Sequence, residues 1–419
     1  MAKPKKQTTR PPRGSEAPRR GSDSLRIESG ALGPVPTCHL DIRPFTVLIG
    51  RQGTGKSLIA QVLYLFEELP WLVFLAAFDR GSGKLSDEKL FQRILDRLRS
   101  SDHAFAMFAN KSVHVSWMRA SREEWPSYAP ASLGFRALRA SKKVTIDSAM
   151  KTFVHQFRSK VAKRERKDIL HHAIFFPAER MVISQIDTVI SDILSLPTTY
   201  FLFSHWLESH AVREAGQWLN GRPDTEDGRL VDTLGRAALG GEAQKLGEVW
   251  NWKYGPKERI DLDMASSGQR ANWPIPYIGR TLFSLRGTGD VATELTLFVE
   301  EPEIHLHPGA QREMVEILAL LVNRGFRVFV TTHSMTVLYT LNNLLQASKL
   351  GARHADDVPG PELRLAPDQV SVYSLQAGKR PRQLVDQEKA FVDERDLGLV
   401  AEELSTELNR IGHYIAETD

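Results

Sequence analysis

Cysteine is nearly absent: Cys38 stands alone among 419 residues. A single thiol excludes an internal disulfide and any cysteine-cluster zinc site, and it fits a reducing compartment. Long apolar runs are also missing. The longest, WLVFLAAF at 71–78, falls well short of the roughly 20 residues that cross a bilayer. No charged-then-apolar leader opens the chain, so a cytoplasmic protein without a membrane partner is expected. No apolar heptad pattern persists for several turns, which argues against long coiled-coil arms, and no internal repeat is visible.

What remains is an ordinary globular composition, 42% hydrophobic and 25% charged. The net charge of +4 is unevenly placed. Residues 1–24 carry seven Lys or Arg against two acids, which leaves the rest close to neutral. This Pro-, Ser- and Gly-rich tail has no periodic apolar residue and should be disordered. It fits either a nonspecific grip on nucleic acid phosphates or a solubilising terminus.

From Gly50 to Ser57 the chain reads GRQGTGKS, a full match to G-x-x-x-x-G-K-[ST]. FTVLI before it has the composition of a buried strand, and SLIAQVLYLFEEL after it has helical apolar spacing. Gly50, Gly53 and Gly55 permit turns that let successive N–H groups, including those of Arg51, Gln52 and Thr54, face a β-phosphate. Lys56 would neutralise the β- and γ-phosphates of ATP, and the Ser57 hydroxyl would ligate Mg²⁺.

Some 240 residues on, LTLFVEEPEIHLHP (295–308) delivers two acids at the end of an apolar strand. Ligands bind outside the carboxyl ends of strands in an open parallel sheet. Glu300 there would hold Mg²⁺, and Glu301 would orient and deprotonate the attacking water. FRVFVTTHS (326–334) is a further buried strand, and its His333 would sit beside the γ-phosphate. MASSGQR (264–270) places Ser266, Ser267, Gly268 and Gln269 before a helix, where hydroxyls and N–H groups can meet an anion.

In this order the four elements resemble the ATP-binding-cassette ATPases, and more narrowly their OLD-like branch (overcoming lysogenization defect; AAA15/AAA21-like). The EEPE–HLHP phrasing and HHAIFFPAERMVI (171–183) carry the narrower likeness. The resemblance implies an α/β fold, an ABC-type P-loop ATPase core with a mixed sheet and an inserted helical lobe. It also implies that Lys56 and Ser57 bind nucleotide and Mg²⁺, that Glu300 replaces the usual aspartate, that Glu301 is the base and that His333 is the switch. Ser266, Ser267 and Gly268, with Gln269 beside them, would contact the nucleotide of the opposite subunit, giving a homodimer or higher homo-oligomer with ATP at its interface. Arg180 would be a further nucleotide contact. Gln52 stands where relatives commonly carry Asn, and Ala265 precedes the serines of a signature that lacks the transporters' double glycine.

The expected organisation is the basic tail at 1–24 and one ATPase domain over 25–419, with a helical and mixed insertion at about 80–260. Two strands should lead into the sheet before the P-loop. VHVSW should be a strand, 142–168 a helix ending in a basic run, and 185–260 a helical lobe centred on SHWLESHAVREAGQWLN. Beyond Ser334 a strand at QVSVYSL and a helix at LVAEELSTELNRIGHYIAE are expected, with no D-x-D pair for two-metal chemistry.

Two functions of different class follow. The first resembles the ATPase subunit of the phage anti-restriction-induced system: an ATP-driven switch or scaffold in antiviral defence that holds and releases a separate, nuclease-like effector. The second is a RecF-like DNA-repair clamp that grips DNA with the tail and the 158–167 run. A transporter subunit fits poorly with HLHP, and AAA+ remodelling enzymes have no counterpart of the signature.

Overall fold

The structure, a computed structural model, describes residues 23–69, 72–73, 85–98, 112–119, 132–138, 143–162, 173–178, 180, 225–246, 249–285, 295–351, 353, 357–393 and 407. The tail up to residue 22, residues 163–168 of the helix expected over 142–168, SHWLESHAVREAGQWLN and all but Glu407 of the last expected helix lie outside these.

The chain opens with β1 (Asp23–Leu32), β2 (Val35–Ile42) and β3 (Phe45–Gly50), followed by α1 (Lys56–Glu67). Three strands thus precede the P-loop, not two. The first begins inside the stretch expected to be tail, with Asp23 and Ser24 buried. After α2 (Asp87–Leu98) come β4 (Val113–Met118), β5 (Ser132–Leu138) and β6 (Lys143–Ile146). These strands join β1 and β2 in an antiparallel sheet of order β2-β1-β4-β5-β6.

The expected helix at 142–168 is therefore a strand followed by α3 (Ser148–Ala162). The β-branched alternation of Lys-Val-Thr-Ile suits a strand. Asp147 then starts the helix, its Oδ1 accepting the Met150 N–H at 2.7 Å.

Next follow β7 (Ala173–Phe176), α4 (Glu226–Leu239), β8 (Glu242–Leu246), β9 (Val249–Lys253) and β10 (Arg259–Asp261). The last three strands form a small antiparallel sheet, so 242–261 is not part of a helical lobe. Gly240, at φ 68°, ends α4, and the alternation of VWNWK buries Trp252 on one face.

The remaining elements are α5 (Ser267–Asn272), α6 (Pro274–Leu285), β11 (Thr296–Glu300), α7 (Pro308–Asn323), β12 (Arg327–Thr332), α8 (Met335–Ser348), β13 (Val370–Leu375) and β14 (Arg382–Gln383). The main sheet runs β14-β13-β3-β12-β11-β7. All its pairings except β13 with β14 are parallel. Its inner strands read as continuous apolar runs because both faces are covered.

On one face α1 lies between this sheet and the antiparallel one. Tyr64 meets the rings of Phe175 and Phe298 edge-on at 5.3 and 5.8 Å. Such aromatic pairs contribute about 0.5–1.5 kcal/mol each beyond buried area. The other face packs on α4, α6, α7 and α8. Parallel pairing brings the carboxyl ends of β3, β12, β11, β7 and β13 to one edge, with Ile49 opposite Thr332 and Thr331 opposite Glu300. Among the described residues no helix is long and apolar enough to cross a membrane.

Candidate nucleotide site

The P-loop is the turn between β3 and α1. Two of its glycines are required by close approach: a Cβ at Gly50 would lie 2.3 Å from the Leu375 carbonyl oxygen, and one at Gly55, at φ 95°, would lie 2.5 Å from Val35 Cγ2. The Thr54 hydroxyl donates to the Arg51 carbonyl at 2.8 Å and ties the loop to itself. Arg51, Gln52, Gly53 and Ser57 stay exposed. No side chain caps the first turn of α1 and no acid stands in it, so its N–H groups and dipole favour an anion.

Lys56 is only 6% exposed. Its Nζ donates to the carbonyl oxygens of Gly50 at 2.7 Å and Arg51 at 3.0 Å, and lies 3.1 Å from His333 Nε2. Burial pulls the Lys56 pKa below the usual lysine range, against the opposing pull of Glu301, Glu303 and Glu300.

The acids arrive from β11. Glu300 is buried, and its Oε2 accepts the Ala178 N–H at 3.2 Å. Glu301 is half-buried, with Oε1 3.3 Å from His333 Nε2. Its backbone sits at φ 45°, a left-handed conformation that costs a non-glycine residue on the order of 1–3 kcal/mol. The Glu301 N–H, donating to the Thr331 carbonyl at 2.8 Å, helps hold it there.

Glu303 was not foreseen as a site residue. Its Oε1 accepts both the Thr332 hydroxyl at 2.6 Å and the His333 N–H at 2.7 Å. The signal in the sequence was a third acid in the same loop as the pair. Lys56, Glu301, Glu303 and His333 thus meet at the carboxyl edge of the main sheet.

Ser57 offers a hydroxyl from the first turn of α1, and Glu300 offers a carboxylate from the end of β11. Among the described residues no three or more His, Cys, Asp or Glu gather into an all-protein metal cage. Hard oxygen donors of this small number fit Mg²⁺, which keeps several waters and takes substrate phosphates as ligands.

The SSG stretch has a different environment. Ser266 caps α5 in a reciprocal capping box, its Oγ accepting the Gln269 N–H while Gln269 Oε1 accepts the Ser266 N–H at 2.9 Å. Gln269 Nε2 also donates to the Leu239 carbonyl at 2.8 Å, so Gln269 serves its own chain. Gly268 is buried, and a Cβ there would lie 2.6 Å from the His305 carbonyl oxygen. The side chains of Ser266 and Ser267 are exposed.

Arg180 is not a nucleotide contact. It is 0% exposed, and its guanidinium donates to the backbone carbonyls of Glu300 at 2.7 Å and Glu301 at 3.1 Å. A position after a strand end drew attention to it; only tertiary packing reveals that it points inward.

Residues 141–338 match the family model described as an AAA ATPase domain (AAA_15). That span takes in Glu300, Glu301 and His333 and lies wholly after the P-loop. No curated protein matches the chain. Similar solved structures include an Smc head bound to the C-winged helix domain of ScpA, at 11% identity and TM-score 0.46, covering 88% of this chain and 98% of that one. The SMC head domain from Thermotoga maritima aligns at 12% identity and TM-score 0.40, covering 88% and 99%. A Smc head domain with an extended coiled coil, bound to the C-terminal domain of ScpA derived from Pyrococcus furiosus, aligns at 11% identity and TM-score 0.42, covering 90% and 98%. The family match, taken with the P-loop motif, supports an ATPase.

Proposed function

We propose that this chain is an ATP-binding and ATP-hydrolysing switch subunit of a bacterial antiviral defence system, one that holds a separate nuclease-type effector and releases or activates it. The observation that carries the ATPase part is the convergence of Lys56, Glu301 and His333, with contacts of 3.1 and 3.3 Å, at the mouth of the P-loop. The defence role rests on the resemblance of EEPE–HLHP and the PAER strand end to the OLD-like branch.

Lys56 exchanges its loop carbonyls for phosphate oxygens, and the N–H groups from Gly50 to Ser57 cradle the β-phosphate. Ser57 and Glu300 would hold Mg²⁺, which when bound adds positive charge at the phosphate oxygens. Glu301 orients the attacking water and takes its proton. His333, held through its backbone by Glu303, lies between Lys56 and Glu301 and responds to whatever displaces those contacts.

Two chains would share each site, with Ser266 and Ser267 of one facing the nucleotide on the other. ATP would then control assembly, and the effector would follow nucleotide state. A RecF-like clamp that binds DNA directly is the second reading, favoured by the seven basic residues of the tail. It predicts an affinity for DNA that falls steeply between about 50 and 200 mM salt.

Mixing Lys56→Ala chains with Ser266→Arg chains tests the shared site. Each alone should be inactive, and the mixture should recover part of the ATPase activity through the one composite site that keeps both halves. Mixed dimers that form without recovered activity would contradict the switch.

A further inference from the structure

Arg180 and Asn272 join two parts of the chain that the proposed reading assigns to different nucleotides. The Arg180 guanidinium is fully buried and fans out to both. Toward α5, Nε donates to the Ala271 carbonyl at 2.7 Å and Nη2 to Asn272 Oδ1 at 2.5 Å. Toward the acidic loop, Nη1 donates to the Glu300 carbonyl at 2.7 Å and Nη2 to the Glu301 carbonyl at 3.1 Å. Nη1 also donates to the Pro177 carbonyl at 3.2 Å, which fixes the arginine at the end of β7.

Asn272, itself fully buried, extends the link. Its Nδ2 donates to the Gly268 carbonyl at 3.0 Å and to the Ile304 carbonyl at 2.8 Å. Gly268 completes the contact from the other side, because its Cα packs against the His305 backbone too closely for any side chain. The turn at Ser266–Gly268 and the loop at 300–305 therefore share one polar network and one steric contact. Two residues of that loop, Glu301 at φ 45° and His305 at φ 57°, hold left-handed backbones that the network braces.

We propose that Arg180 is a positioning residue that couples the exposed Ser266–Ser267 edge to the Glu301 carboxylate of the same chain. Under the shared-site reading on which this rests, a nucleotide seated by the partner against Ser266 would shift α5, and Arg180 and Asn272 would pass that shift to the backbone of Glu301. The two ATP sites of a dimer would then be coupled through the protein interior. Only a planar fork of donors reaches carbonyls on both sides at once, so lysine, a single point donor, cannot replace arginine here.

A double-mutant cycle on turnover is the test. Arg180→Lys should lower kcat at least about tenfold while ATP affinity stays within about twofold, since the P-loop is untouched. In the Glu301→Gln background the same substitution should change kcat by less than about twofold, because the group it positions is already gone. An equal loss in both backgrounds, or no loss in the first, overturns the proposal.

A second arm needs no turnover and decides the coupling even if the ATPase reading fails. Hydrogen exchange is followed at residues 300–306 in four proteins: unaltered, Ser266→Arg, Asn272→Ala and Ser266→Arg with Asn272→Ala. Ser266→Arg alone should speed exchange in that segment several-fold, and should have no effect there once Asn272 is removed. Exchange at 300–306 that ignores Ser266→Arg in the intact network overturns the proposal. Absence of ATP hydrolysis by the unaltered protein would instead overturn the functional reading.

Discussion

Glu303 fixes His333 by its backbone: one carboxylate oxygen accepts the His333 N–H at 2.7 Å and the Thr332 hydroxyl at 2.6 Å. Glu303 thereby sets the His333 ring between Lys56 and Glu301 by gripping the backbone, while the ring Nε2 meets Lys56 and Glu301 at 3.1 and 3.3 Å. Glu303→Ala takes this acceptor from the buried Thr332 hydroxyl and from the exposed His333 N–H, and the buried donor accounts for a loss on the order of 1–3 kcal/mol. Turnover should fall about tenfold, with ATP affinity within about twofold of normal, and Glu303→Gln, which keeps an accepting oxygen, should retain most activity. Steady-state rates and calorimetric titration of the three proteins check this. A glutamine variant as impaired as the alanine one would show that charge, not the accepted hydrogen bonds, is what matters.

Lys56 should bind ATP only as an ammonium. Lys56→Ala removes the cation from the β- and γ-phosphates and should abolish measurable binding. Because burial lowers its pKa, the folded protein gives up this proton at a pH where an unfolded chain still holds it. The sign follows from linkage: between the lowered value and the ordinary lysine value, the unfolded state binds more protons. Stability therefore rises with pH in that window while ATP affinity falls. Titrations at increasing alkalinity, paired with denaturant melts, should show the two trends crossing; affinity constant up to the ordinary lysine range would contradict the assigned environment.

Cys38 offers a chemically clean readout of folding, since it is the sole thiol. Burial pushes its pKa up to about 12, against the hydrogen bond to the Ile27 backbone and the nearby Arg380. A thiol-specific reagent near neutral pH should react at least about a hundredfold more slowly with the folded chain than with the chain in denaturant. Equal rates would show that β2 opens freely.

The nucleotide edge was legible because its signals are local. GRQGTGKS sits between a strand and a helix that need only their own apolar periods to be recognised, and Glu300 and His333 follow strands of the same kind. The structure adds what local pattern cannot hold. Arg180 reaches Ala271 and Glu300 across 91 and 120 residues, and nothing in PAER says that the guanidinium turns inward. The same holds for β5 and β6, whose short runs form strands because β4 presents an edge to β5 and β5 in turn presents one to β6. In the part of the expected 185–260 helical lobe from 242 onward a sheet forms instead, because Gly240 and Gly241 break the helical run before VWNWK begins its two-residue alternation.

The claim on which the rest depends is that Glu301, brought to the P-loop by β11, is the base of an ATPase. Measuring ATP affinity and turnover in the unaltered protein and in Glu301→Gln tests it most directly. ATP should bind the variant as tightly as before, and hydrolysis should slow at least about a hundredfold, as expected for loss of a positioned base. Turnover at the normal rate in Glu301→Gln would contradict the account and would move the base to another residue of the edge.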